Sequence, residues 1–401
     1  MNRVYAVFLA IVVSVLWAVP FASAREVSPP GISGPHARLA KGNNEFAVKL
    51  YRELGSREGN VFFSPYSVSS ALGMTYAGAR ERTAKEIREA LSFQFDSPEL
   101  NAAFKSMNIQ LRNTAAKNGQ KLNIANGLCI TGGSPSKEYK AILREYYEAE
   151  IFSGGLEKIN GWVKIKTEGK IEKILEKLSP NSMFVLLNAV YFKGIWANKF
   201  EKSVTRDAAF TLSPGKKVTV PFMYQEKDFK ILTESDFQAL SLPYKGNDLS
   251  MVILLPKAAD GLASLERRLT DSNIKAWLAR LDAEQPDNVE LYLPRFSFGT
   301  DYDLVPATMK LGMVDAFGSS ADFTGMGFKV GDLWIAQIKH KAFIEVNEEG
   351  TEAAAATAVE METKGMRYST VFRADHPFVF LIRDHRTGTI LFMGRMADPK
   401  G

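Results

Sequence analysis

The sequence predicts an α+β fold on three observations. Residues 183–192 are apolar except for Asn188, which is typical of a strand covered on both faces. Two pairs of apolar segments are separated by short polar turns, at residues 245–248 and 386–388, as in β-hairpins. Helical and strand patterns follow one another in irregular order, without repeats or a long linker. We therefore expect several sheets with helices packed around them.

The helical segments carry signals for where they begin. Ser64 is expected to cap a helix that begins at Pro65. Thr83 and Glu86 have the spacing of a capping box. Residues 159–175 form a further helical pattern, whose many lysines are expected to face solvent.

The strand patterns include the segment around the one cysteine of the chain, Cys129. Residues 122–130 alternate as a strand, and residues 287–298 do the same. A single cysteine excludes an internal disulfide, so packing must supply the stability. We interpret Cys129 as a small buried hydrophobe, with an intermolecular disulfide as the alternative.

Composition sets the broad class of the protein. The chain has 401 residues, of which 46% are hydrophobic and 24% charged, an ordinary globular balance that supports a large core. The net charge is +5 and no compact basic run occurs, so nucleic-acid binding is not indicated. A weak attraction for polyanions remains open.

The N-terminus has the pattern of a signal peptide. Arg3 precedes an apolar run at residues 4–19, and the small residues 22–24 suit cleavage. The run is shorter than the roughly 20 residues of a spanning helix. We expect a signal peptide at residues 1–24, one domain at 25–401, a secreted, extracellular protein and no membrane partner. An uncleaved membrane anchor is the alternative.

The motifs of common enzymes do not occur. The four histidines, His36, His340, His376 and His385, do not form a zinc-binding motif, and neither a nucleophile elbow nor a phosphate loop is present. A Ser-His-Asp triad is assembled only by folding, so spacing leaves that alternative open. We predict that the protein is not an enzyme and has no catalytic residues, no metal and no required cofactor.

Residues 351–364 have an unusual pattern. Every second residue from Thr351 to Thr363 is small or apolar, and all charges lie on the other face. This alternation is typical of a half-buried strand, yet the alanine-rich composition is poor for one. Such a segment could be a loop in one state and a strand in another, because small residues can enter a crowded sheet.

From about Asn43 to Pro399, the chain resembles a serpin of the inhibitory type. Several motifs carry the resemblance, in order: FSPYSVSSAL, TAKEI, LLNAVYFKGIW, LPYKGNDLSMVILLP, LPRF, HKAFIEVNEEGTEAAAATAV and ADHPFVFLIRDHRTGTILFMGR. The resemblance implies three β-sheets surrounded by about eight or nine helices, with an exposed reactive-centre loop at about 348–372. The segment NEEGTEAAAATAV is similar to that of secreted tick serpins, so an arthropod source is indicated.

The resemblance implies a suicide inhibitor, monomeric in its native state. A protease cuts the loop, is held as a covalent acyl-enzyme, and is displaced when the loop enters the large sheet. The family spacing places the cut bond at Lys364–Gly365, which suits a trypsin-like serine protease, with Arg367 as a second basic candidate. A carrier, chaperone or storage serpin is the alternative function.

Further sites follow from the resemblance residue by residue. The hinge of the loop corresponds to Glu348, Gly350, Thr351, Ala353, Ala354, Ala355 and Ala356. The shutter, a polar cluster beneath the sheet, corresponds to Ser64, Ser67, Asn188 and His340, with a catalytic role for His340 as a minor alternative. The breach, where insertion begins, corresponds to Trp196, Arg295 and Glu348, with a Glu348–Arg295 ion pair expected.

Two features remain open. A heparin-like glycosaminoglycan could bind Lys105, Arg112, Lys117 and Lys121, or these four residues could simply form a solvated face.

The segment at residues 151–158 is shorter than its counterpart in serpins, which usually have several more residues here. In serpins this segment forms an edge strand and the start of the helix that crosses the large sheet. This shortening could change the stability of the protein or the speed of insertion.

Overall fold

The computed structural model describes residues 34–131, 133–178, 184–351 and 369–401. All of them belong to the compact unit Gly31–Gly401. The predicted signal peptide and the loop residues 352–368 lie outside the described residues. Within the described part, no helix is long and apolar enough to cross a membrane.

The described residues form nine α-helices and fifteen strands. The helices are α1 (Pro35–Gly55), α2 (Pro65–Gly78), α3 (Glu81–Ala90), α4 (Ser97–Lys117), α5 (Lys137–Tyr147), α6 (Leu156–Lys166), α7 (Leu262–Arg268), α8 (Asp271–Ala283) and α9 (Val305–Lys310). The strands are β1 (Val61–Phe63), β2 (Lys121–Ile130), β3 (Glu150–Phe152), β4 (Phe184–Ile195), β5 (Arg206–Ser213), β6 (Lys216–Thr233), β7 (Phe237–Pro243), β8 (Leu249–Pro256), β9 (Asp287–Pro294), β10 (Phe296–Asp303), β11 (Gln337–Asn347), β12 (Gly350–Thr351), β13 (Thr370–Arg373), β14 (Phe378–Asp384) and β15 (Ile390–Met396).

The large sheet has six strands in the order β10-β11-β12-β4-β2-β3. The apolar segment at 183–192 lies in its centre as β4, which is buried along almost its whole length. Cys129 lies fully buried in β2, which confirms its interpretation as a buried hydrophobe. Most neighbours in this sheet are antiparallel, but β4 and β11 run parallel.

The remaining strands form two sheets that share β6. Residues 222–229 of β6 pair with β9, and residues 230–233 pair with β7. The two sheets thus join into one path of eight strands, with β5 paired to β6 beside the path, and together with the large sheet they account for the three sheets implied by the resemblance. The two predicted hairpins are confirmed as β7–β8 and β14–β15.

Of the two helix-capping signals in the sequence, one is confirmed by the structure and the other is wrong. The Ser64 side chain accepts the backbone N–H of Ser67 and caps α2, as expected. The predicted capping box is wrong, because α3 begins at Glu81, before Thr83. Thr83 accepts the N–H of Asp322 instead, since a neighbouring segment of the fold competes for the same side-chain oxygen.

The helix predicted at 159–175 ends early. Helix α6 stops at Lys166, and the chain turns through left-handed backbone at Glu168 (φ 52°) and Gly169 (φ 82°). The turn brings Ile171 and Ile174 back against Ile159 in a second core beneath α6. The strand predicted at 287–298 is likewise divided into β9 and β10, which belong to different sheets.

The shortened segment 151–158 retains both expected elements. Strand β3 pairs in parallel with β2 at the edge of the large sheet. Helix α6 begins four residues after β3 ends and covers β2 and β4 with a second core that includes Phe152, Ile159 and Val163. The few residues available are therefore enough to place a helix across the sheet.

Replacing Ile159 by alanine tests this second core. Ile159 is fully buried, so Ile159→Ala should lower the free energy of unfolding by about 2–5 kcal/mol, through lost burial and the cavity left behind. Urea unfolding measures the difference. The exposed neighbour Glu157 is the matched control, and Glu157→Ala should change stability by no more than about 0.5 kcal/mol. Equal effects of the two variants would show that α6 does not depend on this contact.

Candidate functional site

Strands β4 and β11 define the centre of the site. They pair in parallel from Gln337 opposite Val185 to Phe343 opposite Tyr191. Above that point they separate and hold β12 between them, antiparallel to both. The chain therefore leaves β11, turns at residues 348–349, and re-enters the sheet for two residues.

Gly350 is the first residue of this entry. Its φ of 154° is uncommon for L side chains, and a Cβ here would lie 1.9 Å from the carbonyl oxygen of Gly194. Only glycine allows the chain to approach β4 so closely. The structure thus gives a physical reason for the glycine that the hinge prediction named.

Thr351 follows in the same position between β4 and β11, which we call the slot, and it is 2% exposed. Its Oγ1 lies 2.7 Å from the hydroxyl of Tyr244, whose ring stacks on Trp196 at 4.6 Å with an interplanar angle of 10°. The indole Nε1 of Trp196 donates to the carbonyl of Asn347. Trp196, which was named for the breach, therefore lies where β12 begins. Tyr244 was missed because its sequence context indicates only a hairpin.

Glu348 and Arg295 come together as expected, although only one of them is buried. Arg295 Nε lies 3.6 Å from Glu348 Oε2, with side-chain exposures of 48% and 3%. Thr205 donates to the other carboxylate oxygen at 2.8 Å. The expected ion pair is therefore present, but because the arginine is half exposed, it contributes little by itself.

A second charged group at the loop base was missed. Glu349 is 6% exposed and pairs with Lys199 at 2.6 Å and Lys202 at 3.4 Å. The ammonium of Lys199 holds the pKa of Glu349 below its ordinary value. Adjacent acidic residues in a sequence usually face solvent, so the pattern alone does not indicate that both carboxylates lie in the fold.

Beneath β12, the four residues predicted for the shutter form one hydrogen-bonded network. His340 Nδ1 donates to the side-chain oxygen of Asn188 at 2.6 Å, and its Nε2 accepts the backbone N–H of Ser64 at 3.2 Å. The amide of Asn188 donates to Ser67 and to Asn126. Asn126, Asn188 and His340 are register partners across β2, β4 and β11, so the network is a row across the sheet.

The partners of His340 fix its protonation state. An amide oxygen can only accept and a backbone N–H can only donate, so the ring must be neutral with its proton on Nδ1. Complete burial lowers the pKa of His340 to about 3. The ring contacts no solvent, so the minor alternative of a catalytic base has no support from its surroundings.

The structure also assembles one Ser-His-Asp sequence of contacts. His385 Nε2 lies 2.8 Å from Ser250 Oγ, and its Nδ1 lies 3.8 Å from Asp282 Oδ1. Ser250 is fully buried and the second distance exceeds a hydrogen bond. This arrangement cannot present a nucleophile to a substrate. Within the described residues, no group of three or more histidine, cysteine or acidic side chains could hold a metal ion.

The four basic residues considered for polyanion binding are largely engaged with acids. Lys105 pairs with Glu145 at 3.2 Å, Arg112 with Glu148 at 2.5 Å, and Lys121 with Glu168 at 2.7 Å. Lys117 lines a cleft of about 370 Å³ together with Arg386. The arrangement favours a solvated, ion-paired face over a continuous cationic one.

The predicted loop residues beyond Thr351 lie outside the described residues. They are the reactive-bond residues Lys364 and Gly365, the alternative Arg367, and the hinge residues Ala353, Ala354, Ala355 and Ala356.

Comparison with known proteins gives a consistent family. A sequence model described as Serpin (serine protease inhibitor) matches residues 41–399. Human Serpin B8 is 40% identical over 380 residues, covering 90% of this chain and 99% of that protein. Pig (Sus scrofa) leukocyte elastase inhibitor is 39% identical, covering 90% of this chain and all of that protein.

Solved structures agree on the fold. Serpin48 of the insect Tenebrio molitor, described as highly specific, superposes with a TM-score of 0.81 at 32% identity, covering 90% of this chain and 98% of that one. Human thyroxine-binding globulin superposes with a TM-score of 0.83 at 30% identity, covering 92% of this chain and all of that one. The α+β fold predicted from the sequence is confirmed.

The relatives correct one prediction. A secreted, extracellular location is contradicted, because Serpin B8, Serpin B6 and leukocyte elastase inhibitor are intracellular serpins of clade B. The resemblance to tick serpins is not shown, since these relatives are mammalian. The signal peptide at 1–24 lies outside the described residues and stays a prediction.

The neutral His340 generates a pH dependence of stability. Its pKa is about 3 in the folded protein and about 6.5 when unfolded, so the unfolded state binds more protons between these values. Stability is full above pH 6.5 and is lost as the pH falls. Between pH 8 and pH 5 the loss from this residue should be about 2 kcal/mol.

His340→Gln tests this dependence, because glutamine keeps a donor and an acceptor but does not titrate. Urea unfolding at pH 8 and pH 5 should show about 2 kcal/mol less pH dependence in the variant. His385, whose pKa burial lowers to about 4, is present in both proteins and cancels. An identical pH dependence in both proteins would contradict the neutral, buried state of His340.

Proposed function

The chain belongs to the serpin family of serine protease inhibitors, and from that premise we propose that it traps trypsin-like serine proteases by inserting its cleaved loop into the large sheet. Serpins are inhibitors rather than enzymes. The single observation that supports the proposal most is the position of Gly350–Thr351 between β4 and β11, because insertion has a starting point before any cleavage.

The arrangement of strands supplies the driving force. Neighbouring strands lie about 4.8 Å apart, so a strand entering between β4 and β11 must separate them to about 9.6 Å. The entering strand would exchange one parallel contact for two antiparallel ones, and antiparallel pairing is slightly more stable per residue. It would also bury the small, apolar face of residues 351–363.

The two-residue register of β12, continued down the slot between β4 and β11, would assign each inserted residue a partner on both strands. Thr351 lies opposite Gly194 on β4 and Val346 on β11. Six residues further, position 357 would lie opposite Asn188 and His340, which now pair with each other across the closed sheet. Thr357 carries a hydroxyl that can accept from one and donate to the other. Insertion would therefore replace the hydrogen bond that it breaks.

The chemistry of the trap belongs to the protease. Its catalytic serine attacks the carbonyl of Lys364, an ester bond forms, and the amino group of Gly365 leaves. Water would release the protease, unless the loop enters the sheet first and carries the ester-linked protease with it. Lysine fits a specificity pocket with an aspartate at its base. Glu360 and Glu362 favour a target with basic surroundings at its cleft.

A non-inhibitory role is the second candidate. The fold neighbour thyroxine-binding globulin binds thyroxine, as its complex with that ligand indicates. Binding of heparin-like polyanions stays a separate prediction, weakened by the glutamates that pair with Lys105, Arg112 and Lys121. Neither role requires β12 to begin inside the sheet.

Mixing the protein with trypsin at equal molarity tests the proposed function. A band at the summed mass should survive a denaturing gel, and mass spectrometry should find a released peptide that begins at Gly365. Lys364→Ala should abolish the band, because the bait residue is lost. A peptide that begins at Tyr368 would instead assign the cut to Arg367. Cleavage without the band would favour the non-inhibitory role.

Thr351→Glu separates cleavage from insertion. A buried carboxylate beside Tyr244 would cost several kcal/mol, so the loop should be cut at the same bond without retaining the protease. The number of inhibitor molecules consumed for each trypsin inactivated should rise at least about tenfold. Thr370→Glu, on the other leg of the loop, is the matched control. A normal covalent complex from Thr351→Glu would show that insertion does not begin at this residue.

A further inference from the structure

Tyr244 lies fully buried at the top of the large sheet. Its hydroxyl lies 2.7 Å from Thr351 Oγ1, and within the described residues this is the hydrogen bond that the hydroxyl makes. Burial raises the pKa of Tyr244, so the group keeps its proton and can donate or accept. The hydroxyl is therefore matched to one partner, and that partner lies in the hinge.

The surroundings give the tyrosine ring a single position. Trp196 stacks on one side at 4.6 Å, and Phe192 approaches edge-on at 5.2 Å with an interplanar angle of 84°. The ring fits because residue 194 is glycine, where a Cβ would lie 2.6 Å from the ring carbons of Tyr244. Buried aromatic contacts of this kind resist rearrangement. The hydroxyl cannot follow Thr351 if the hinge moves away.

We propose that Tyr244 is the receptor for Thr351, the second residue of the strand that the inserting loop begins. As a positioning residue, it selects a hydroxyl at Thr351 and so determines how often a cleaved loop enters the sheet before the acyl-enzyme is hydrolysed. This inference rests on the proposed function and adds the residue that controls its first step. Gly350 allows the backbone to enter beside Gly194, and the bond to Tyr244 holds the next residue in register.

The contact between Tyr244 and Thr351 would affect the competition between two steps, insertion of the cut loop into the sheet and hydrolysis of the acyl-enzyme. While the bond holds Thr351, insertion after cleavage only has to extend a strand that has already begun. Without it, a buried hydroxyl has lost its partner and the hinge leaves the slot more often. Hydrolysis of the acyl-enzyme depends on the protease and stays at the same rate. A larger share of inhibitor molecules is then cut without trapping the protease.

Tyr244→Phe and Thr351→Val each remove one hydroxyl and preserve the shape of the side chain. With trypsin, each variant should raise the number of inhibitor molecules consumed per inactivated protease on the order of fivefold, the worth of one neutral hydrogen bond. The double variant should show no further increase, because both changes remove the same bond. Thr351→Ser should behave as the wild type. Tyr292→Phe, whose hydroxyl bonds Glu290 on the sheet surface, is the control.

Hydrogen exchange of the backbone amides at 350 and 351 tests the same bond in the uncleaved protein, without any protease. Exchange should be on the order of fivefold faster in Tyr244→Phe and Thr351→Val and unchanged in Thr351→Ser and Tyr292→Phe. Unchanged exchange in both hydroxyl-deleted variants, or effects on the stoichiometry that multiply in the double variant, would overturn the role of Tyr244. If the wild type failed to trap trypsin while exchange responded as expected, the proposed function would fail, and only the hold of Tyr244 on Thr351 in the uncleaved protein would stand. If Tyr244→Phe does not fold, Thr351→Val and Thr351→Ser carry both measurements.

Discussion

The parallel contact between β4 and β11 is the constraint on which the rest of the structure depends. It is one of few parallel contacts in a mostly antiparallel sheet, and it closes the position where a further strand would fit. Gly350–Thr351 occupies only the upper end of that position. The pairing of the buried Glu349 carboxylate with Lys199 anchors the turn that leads into it, whereas the half-exposed Arg295 adds little through Glu348. In the native state a strand therefore begins between β4 and β11 at Gly350–Thr351, while further down these two strands still pair directly with each other.

The polar row beneath β12 sets the cost of completing it. Burying Asn188 and His340 is acceptable because each finds partners, and the neutral ring carries no charge into the core. Opening the sheet at this row breaks a short hydrogen bond between two buried groups, which is expensive unless the incoming residue replaces it. The row therefore acts against partial opening of the sheet, and under the proposed function it would permit complete insertion, a condition that a purely apolar seam would not impose.

The fold was largely predictable, since long apolar strands, hairpin turns and a capped helix are local patterns. The capping box at Thr83 and the long helix from 159 were wrong because tertiary partners decided both. At the site, residues with unusual contexts could be named in advance, such as Asn188 within an apolar strand. Tyr244 could not be, because an aromatic residue before a turn is ordinary, and its importance comes from a loop more than 100 residues away.

The order of residues in the loop matches the order of surfaces along the slot. In the register of β12, position 353 would face Phe192 and Ile344, and position 355 would face Val190 and Ala342, all of them buried and apolar. Alanine suits both rows, because the space between closely paired strands is narrow and has no polar partner to offer. At the top of the slot Thr351 lies beside the hydroxyl of Tyr244, and at position 357 the row of Asn188 and His340 is polar. The loop carries threonine at both positions. A loop that had lost insertion would have no physical reason to repeat the polarity of four rows of a sheet to which it does not belong.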